Sequence, residues 1–385
     1  MIALFKGHGL PVFLGIILAL GAPVIARADG LEASLLAPVA PLSDDDFYRI
    51  NASARGLAGE APPTDRSAPN WANAPEWKQY EDWMGDRWSY IERVRMNAIR
   101  AWSVANLADL RSKSSVVFYP FSGPDFLYAN AFFPDAKYTL MAGLEPVGSM
   151  PDLSALQQSG QLGAYLADVK TSLFTIMAAS FFKTKDLKTD LNNQLVDGLM
   201  PDLAVFLARE GYDIGSLQYV SLDSDGVVHA HEKSGATGVQ ITYFKGDRDD
   251  MHVLFYFQAD LGNDGLHSNP GFTRLMHRLA PGITYLKAAS YLLYDDYFSA
   301  IRDAILAESA GVVEDDSGIP LHFFMPSEWD VSVYGNYTGP ITIFKAKYQP
   351  DLAQYYTANP HSPLSFGTGY KYIPADSSLL VAKKK

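Results

Sequence analysis

Three groups of residues in this 385-residue chain have the types and spacing to do chemistry. The first is Pro120-Phe121-Ser122-Gly123-Pro124-Asp125, followed by Gly143-Leu144-Glu145-Pro146. Ser122 and Gly123 stand where a strand must reverse into a helix. Pro124 suits a first helical position because its missing N–H is not needed there. Asp125 in the first turn is favoured by the positive helix end. The N–H groups of Ser122 and Gly123 are expected to be open to an anion or to a polar group of a substrate. Glu145, just after a strand over 138–142, stands where nucleotide-binding folds hold the acid for ribose hydroxyls. The same residues are also consistent with no more than an N-cap and a strand exit.

The second group is Glu314-Asp315-Asp316-Ser317-Gly318, after a strand around Val312-Val313. In a parallel sheet it shares the carboxyl edge with Ser122 and Glu145. Asp315 and Asp316 would then serve as a base or as cation ligands beside Ser317. The alternative is an Asx-type turn capping 319–324. The third group is His229-Ala230-His231-Glu232: alternate strand positions project to one face, so His229 and His231 form a workable pair of zinc or copper ligands. Asp249, Asp250 and His252 are expected nearby to supply a third, and solvated polar residues are the alternative. Neither G-x-S-x-G nor H-E-x-x-H occurs. Ser122 with His267, His277 or His322 as base only loosely imitates a hydrolase elbow.

The elements that must position these groups follow from periodicity. Residues 29–74, rich in Ala, Pro, Ser and Asp, read as an extended leader with one helical turn near 44–47. Large apolar residues then recur at helical spacing over 76–110, with a break expected near Gly85. A strand begins at Val116. Helices are expected over 151–169, 171–182 and 201–210, with a polar connector at 186–193. The period becomes two over 217–222, 227–231, 239–244 and 252–259, with Asp223-Ser224-Asp225-Gly226 as a hairpin turn. A helix over 270–279, a buried strand over 283–287 and a helix over 294–309 follow. Short strands are expected at 331–334 and 341–345, and turns beyond Pro350.

The stretch from Val116 to Gly148 resembles the opening β-α-β unit of class I methyltransferase-like Rossmann proteins. Ser122-Gly123-Pro124-Asp125 stands where that family has its glycine-rich loop, and Glu145 where it has the acid for the cofactor ribose. One glycine replaces the usual two or three, and the G-x-G-x-x-G spacing of a dinucleotide cradle is absent. The pair SGPD and GLEP is also similar to that of exported bacterial proteins of uncharacterised function. The resemblance implies a Rossmann-like core and no particular reaction.

Composition bounds the rest. Lys6, the apolar run over 10–25 and Ala26-Arg27-Ala28 form the pattern of a cleaved signal peptide at 1–28, which implies a periplasmic or secreted protein. The run is short for a membrane span and is broken by Pro11 and Pro23. Removing it takes two bases and no acid, moving the net charge from −12 to −14. Such a balance repels phosphate backbones and argues against nucleic acid as a partner. The absence of cysteine excludes disulfides, thiolate catalysis and Cys-ligated metals.

The sequence therefore predicts an α/β fold: a Rossmann-like, mostly parallel sheet flanked by helices, with an added antiparallel section at about 214–260, all within a single domain over 75–385. It predicts a small polar ligand at the carboxyl edge and names no cofactor. Two functions follow. One is an enzyme acting on that ligand. The other is a non-catalytic envelope or carbohydrate-binding module, suggested by Trp329, Tyr334, Tyr337, Tyr355 and Tyr356 in expected loops.

Overall fold

The computed structural model describes residues 40–182 and 195–385. The signal-like segment at 1–28 and the connector expected at 186–193 lie outside the described residues. Ten strands form one mixed sheet: β1 (Val116–Tyr119), β2 (Tyr138–Gly143), β3 (Asp213–Leu222), β4 (Val228–Ala230), β5 (Gly238–Phe244), β6 (His252–Gln258), β7 (Gly282–Leu286), β8 (Ser309–Glu314), β9 (Trp329–Gly335) and β10 (Ser378–Lys384). Their order is β4-β3-β5-β6-β2-β1-β7-β8-β10-β9. The five central strands β6-β2-β1-β7-β8 run parallel. Antiparallel strands extend both sides. The section expected at 214–260 thus belongs to the same sheet as the parallel core.

Strand β1 explains the layering. Its four residues Val-Val-Phe-Tyr are all buried, as a parallel strand covered on both faces requires. Val117 and Tyr119 pack into one core and Val116 and Phe118 into the other, because successive side chains leave opposite faces. The first core is covered by helices α1 (Asp44–Leu57), α2 (Pro75–Ile91), α3 (Asn97–Asn106), and those over Leu162–Ala179 and Met200–Arg209. The second is covered by the helices Gly271–Leu279, Ser299–Glu308 and Pro350–Ala358.

Several expectations are corrected. Part of the extended leader is a full helix, α1, capped by Ser43, whose side chain accepts from Asp46 N at 3.2 Å. Its buried face is made mostly of small residues, Ala52, Ser53, Ala54 and Gly56, so large apolar residues do not mark it. Gly85 does not break α2; a π-helical turn at Glu92–Met96 separates α2 from α3 instead. The break in the next helical region falls at Gly160, with φ +71°, where chain reversal needs the left-handed backbone. Residues 341–345 form no strand. Thr342–Lys347 is a 3₁₀ segment, and it has no strand partner. The turn-rich end beyond Pro350 holds a helix and β10, which is inserted between β8 and β9. On β10 the Lys384 ammonium donates to Leu306 O and Ala307 O, both at 2.9 Å, at the negative end of the helix Ser299–Glu308.

Candidate active site at the carboxyl edge of the sheet

β1 pairs with β2 on one side and β7 on the other. The chain leaves all three strands at the same edge, and the loops part there to leave a cavity of about 530 Å³. Ser122, Gly123, Asp125 and Glu145 all line it, together with a residue the sequence did not single out, Lys287. Lys287 directly follows β7 and is 3% exposed. Its ammonium pairs with Asp125 Oδ2, donates to Ser180 O at 2.6 Å and lies 3.4 Å from the centre of the Tyr128 ring. A lysine that ends a buried parallel strand is the sequence signal that would have found it.

Asp125 is likewise buried. It accepts from Tyr119 Oη at 2.8 Å and, as the N-cap of helix α4 (Phe126–Phe132), from Tyr128 N at 3.3 Å. Burial raises the Asp125 carboxyl, with Lys287 opposing. Burial pushes the Lys287 ammonium down to about 8, with Asp125 opposing. The two groups thus form one buried, desolvated acid–base pair on the cavity floor.

Glu145 turns its carboxylate over the two glycines. A Cβ on Gly123 would meet Oε2 at 3.6 Å. A Cβ on Gly143 would collide with Oε2 and come within 2.9 Å of Tyr256 Oη and 3.1 Å of Gly123 Cα. Only glycine at 143 lets the carboxylate sit there. Tyr256 Oη donates to Glu145 O at 2.8 Å. The expected open amide cradle is corrected in part: Ser122 N–H donates to Ala142 O at 2.8 Å, and Ser122 Oγ faces the carbonyls of Gly123 and Ala142 at 3.0 and 3.1 Å. The Ser122 amide is spent inside the turn.

Backbone strain is concentrated around this cavity. Phe121, Ser180, Ala288, Ser290 and Tyr291 are the non-glycine residues with positive φ among those described. Each sits at the cavity or in the loop bounding it, at a cost of about 1 kcal/mol or more apiece. The acidic turn after β8 braces two of them, Ala288 and Tyr291, together with the intervening Ala289. Asp315 Oδ2 accepts from Ala288 N at 2.9 Å, Ser317 Oγ accepts from Ala289 N at 2.8 Å, and Asp316 Oδ2 accepts from Tyr291 Oη at 2.8 Å. Asp315 Oδ1 accepts from Ser317 N at 2.9 Å, an Asx turn. Asp315 and Asp316 thus share the carboxyl edge with Ser122 and Glu145 but stand behind the cavity wall, as positioning residues. Burial, then the neighbouring Asp315, pushes the Asp316 carboxyl up to about 7.

The histidine pair lies elsewhere. His229 and His231 are exposed at the far edge of the sheet. His229 Nε2 is 2.7 Å from Asp223 Oδ2, and His231 Nδ1 is 2.7 Å from Glu232 O. His252, expected as a nearby third ligand, is on β6, three strands from β4 and so roughly 14 Å away. It is buried, with Nδ1 2.7 Å from Ala136 O. Among the described residues no three His, Asp or Glu side chains are grouped to hold a metal ion. The conceivable bases for Ser122 do not line its cavity; His277 faces Glu308 at 2.9 Å and His322 faces Asp351 at 4.0 Å.

The aromatic residues expected in loops are structural. Trp329 and Tyr356 are buried, and Tyr334, Tyr337 and Tyr355 are half-buried. Tyr355 Oη donates to Val331 O at 2.8 Å, and Tyr334 packs edge-on against Trp102. Among the described residues no helix is long and apolar enough to cross a membrane. Compared with protein-family models, curated proteins and solved structures, the chain matches none.

Proposed function

We propose that this is an exported protein whose carboxyl-edge cavity binds a small ligand presenting hydroxyl or amino hydrogen-bond donors, and acts on it. The observation that carries this reading is the convergence of Ser122, Gly123, Asp125, Glu145 and Lys287 on one cavity. That cavity lies where the order β6-β2-β1-β7-β8 reverses direction at β1. Numbered among the parallel strands in chain order, this is third-second-first-fourth-fifth, which supports a Rossmann-like scaffold with its ligand at the switch point. The strained loops support the same site. Export is supported by the signal-like pattern at 1–28.

The ligand class follows from the lining. Among the described residues its charged side chains are two carboxylates and one ammonium, and the ammonium pairs with Asp125. A carboxylate only accepts hydrogen bonds, the Ser122 amide is engaged, and α4 is too short to offer a strong positive end. A hydroxylated or cationic ligand therefore fits this described lining better than a phosphate or carboxylate does. For an enzyme, the Asp125–Lys287 pair supplies the acid–base group.

A second reading, a binding protein without turnover, draws on one observation. The Lys287 ammonium already faces Asp125, Ser180 O and the Tyr128 ring, so the pair also serves as a brace. A thermal-shift panel tests the shared core of both readings. Polyols, nucleosides and small amines at a hundredfold excess over Kd should stabilise the protein by about 2.7 kcal/mol. Inorganic phosphate and small carboxylates should not. The opposite pattern overturns the assignment.

A further inference from the structure

The lining of the cavity changes character from floor to mouth. At the floor, Asp125 and Glu145 are each 2% exposed and Lys287 is 3% exposed. Halfway out the wall is aromatic: Phe181, Phe182, Phe344 and Tyr370 are half-buried. Phe181 and Phe344 both pack against the Tyr370 ring, at 5.0 and 5.5 Å. At the mouth stand Ile341 and Ile343, the latter 78% exposed.

A single exposed isoleucine needs no explanation. Here it continues an apolar wall that begins inside a polar-floored cavity, and contiguous apolar surface of that kind marks a binding site. The 3₁₀ segment Thr342–Lys347 carries Ile343 and Phe344, and Phe344 is fixed by the Tyr291 ring at 5.0 Å. Tyr291 is in turn held by Asp316. The mouth and the floor are thus built on the same braced loop.

We propose that the ligand is an amphiphile: its donor-bearing head group lies on the Glu145 floor, and its apolar chain runs out between Phe181, Phe182 and Phe344 to Ile341 and Ile343. This rests on the donor-ligand reading above and adds the chain. A wholly polar ligand would leave the aromatic wall wet, whereas an alkyl chain removes that wall and itself from water together.

The test is calorimetric titration of the protein with n-alkyl β-glucosides from methyl to octyl, each below its micellar concentration. Affinity should tighten roughly three- to fourfold per methylene until the chain passes Ile343. The double variant I341S/I343S should flatten that slope for the longer chains while leaving methyl glucoside unchanged. E145Q should weaken every member by the same factor. Flat chain-length dependence with an intact E145Q effect overturns the amphiphile and leaves the donor-ligand reading standing. Equal affinities in E145Q and wild type across the series remove the head group, leave only the apolar track and overturn the inference. A slope unchanged in I341S/I343S, or no binding by any member, overturns the inference.

Discussion

Breaking the pair on the cavity floor should be costly, and removing it whole should not. In D125N the amide oxygen still accepts from Tyr119 Oη or from Tyr128 N, so most of the cap survives. What is lost is the charge facing Lys287, whose side chain is 2% exposed. An uncompensated buried ammonium costs about 3–5 kcal/mol. K287M leaves the converse, a buried carboxyl with no cation, which burial already raises. It should cost a similar amount, softened at low pH where the acid is neutral. The double variant D125N/K287M has no buried charge there, and methionine roughly matches the lysine stem in volume. It should recover most of the loss, giving a coupling energy of about 2–4 kcal/mol. For a chain of this size each kcal/mol moves Tm by about 2 °C. Differential scanning calorimetry of the four proteins at pH 7 reads the cycle. Single variants that each lose less than about 1 kcal/mol and add in the double would refute the argument that the pair is a coupled, desolvated unit.

Asp202 gives a pH signature. It is buried and donated to by Ser172 Oγ at 2.7 Å, and its Oδ2 is without a partner. Burial raises its carboxyl from an ordinary 3.8 to about 7. Between those pH values the folded state holds a proton that the unfolded state has lost, so stability falls as pH rises through that window. Urea denaturation at pH 4 and pH 8 should show the wild type losing on the order of 4 kcal/mol more than D202N; parallel curves contradict this. G143A should drive the Glu145 carboxylate off the floor and weaken ligand binding at least tenfold, with a ligand-free Tm change of only a few degrees. D315N keeps one acceptor and loses the other, at about 1–3 kcal/mol. Hydrogen-exchange mass spectrometry should then show faster exchange over 288–291, and unchanged protection there would remove the brace.

What was legible in the sequence was local. Ser122 to Asp125 could be read because Pro124 and the Asp125 cap act within one turn, and Glu145 because it follows an apolar strand by a few residues. Lys287 offered one local signal, a lysine at the end of a buried strand, but its role depends on Asp125, Ser180 and Tyr128, all more than a hundred positions away. The position of Asp315 and Asp316 behind the wall rather than on it depends on the non-local Ala288 amide and Tyr291 hydroxyl. Helix α1 was obscured because its packing face is built from Ala, Ser and Gly. Strand β10 was obscured because pairing with β8 and β9, not its own short pattern, makes it a strand. Residues 341–345 misled in the other direction. Their alternation of apolar residues is real, but it lines a cavity mouth and has no strand to pair with.

The central claim is that Glu145 receives the donor groups of a ligand in the carboxyl-edge cavity. Isothermal titration of the strongest ligand from the thermal-shift panel into wild type and E145Q tests it most directly. A hydrogen bond to a charged group contributes about 1.5–3 kcal/mol against about 0.5–1.5 kcal/mol for a neutral one, so E145Q, whose amide oxygen still accepts, should bind roughly five- to tenfold more weakly at unchanged stoichiometry. Equal affinity in the two proteins would contradict the account.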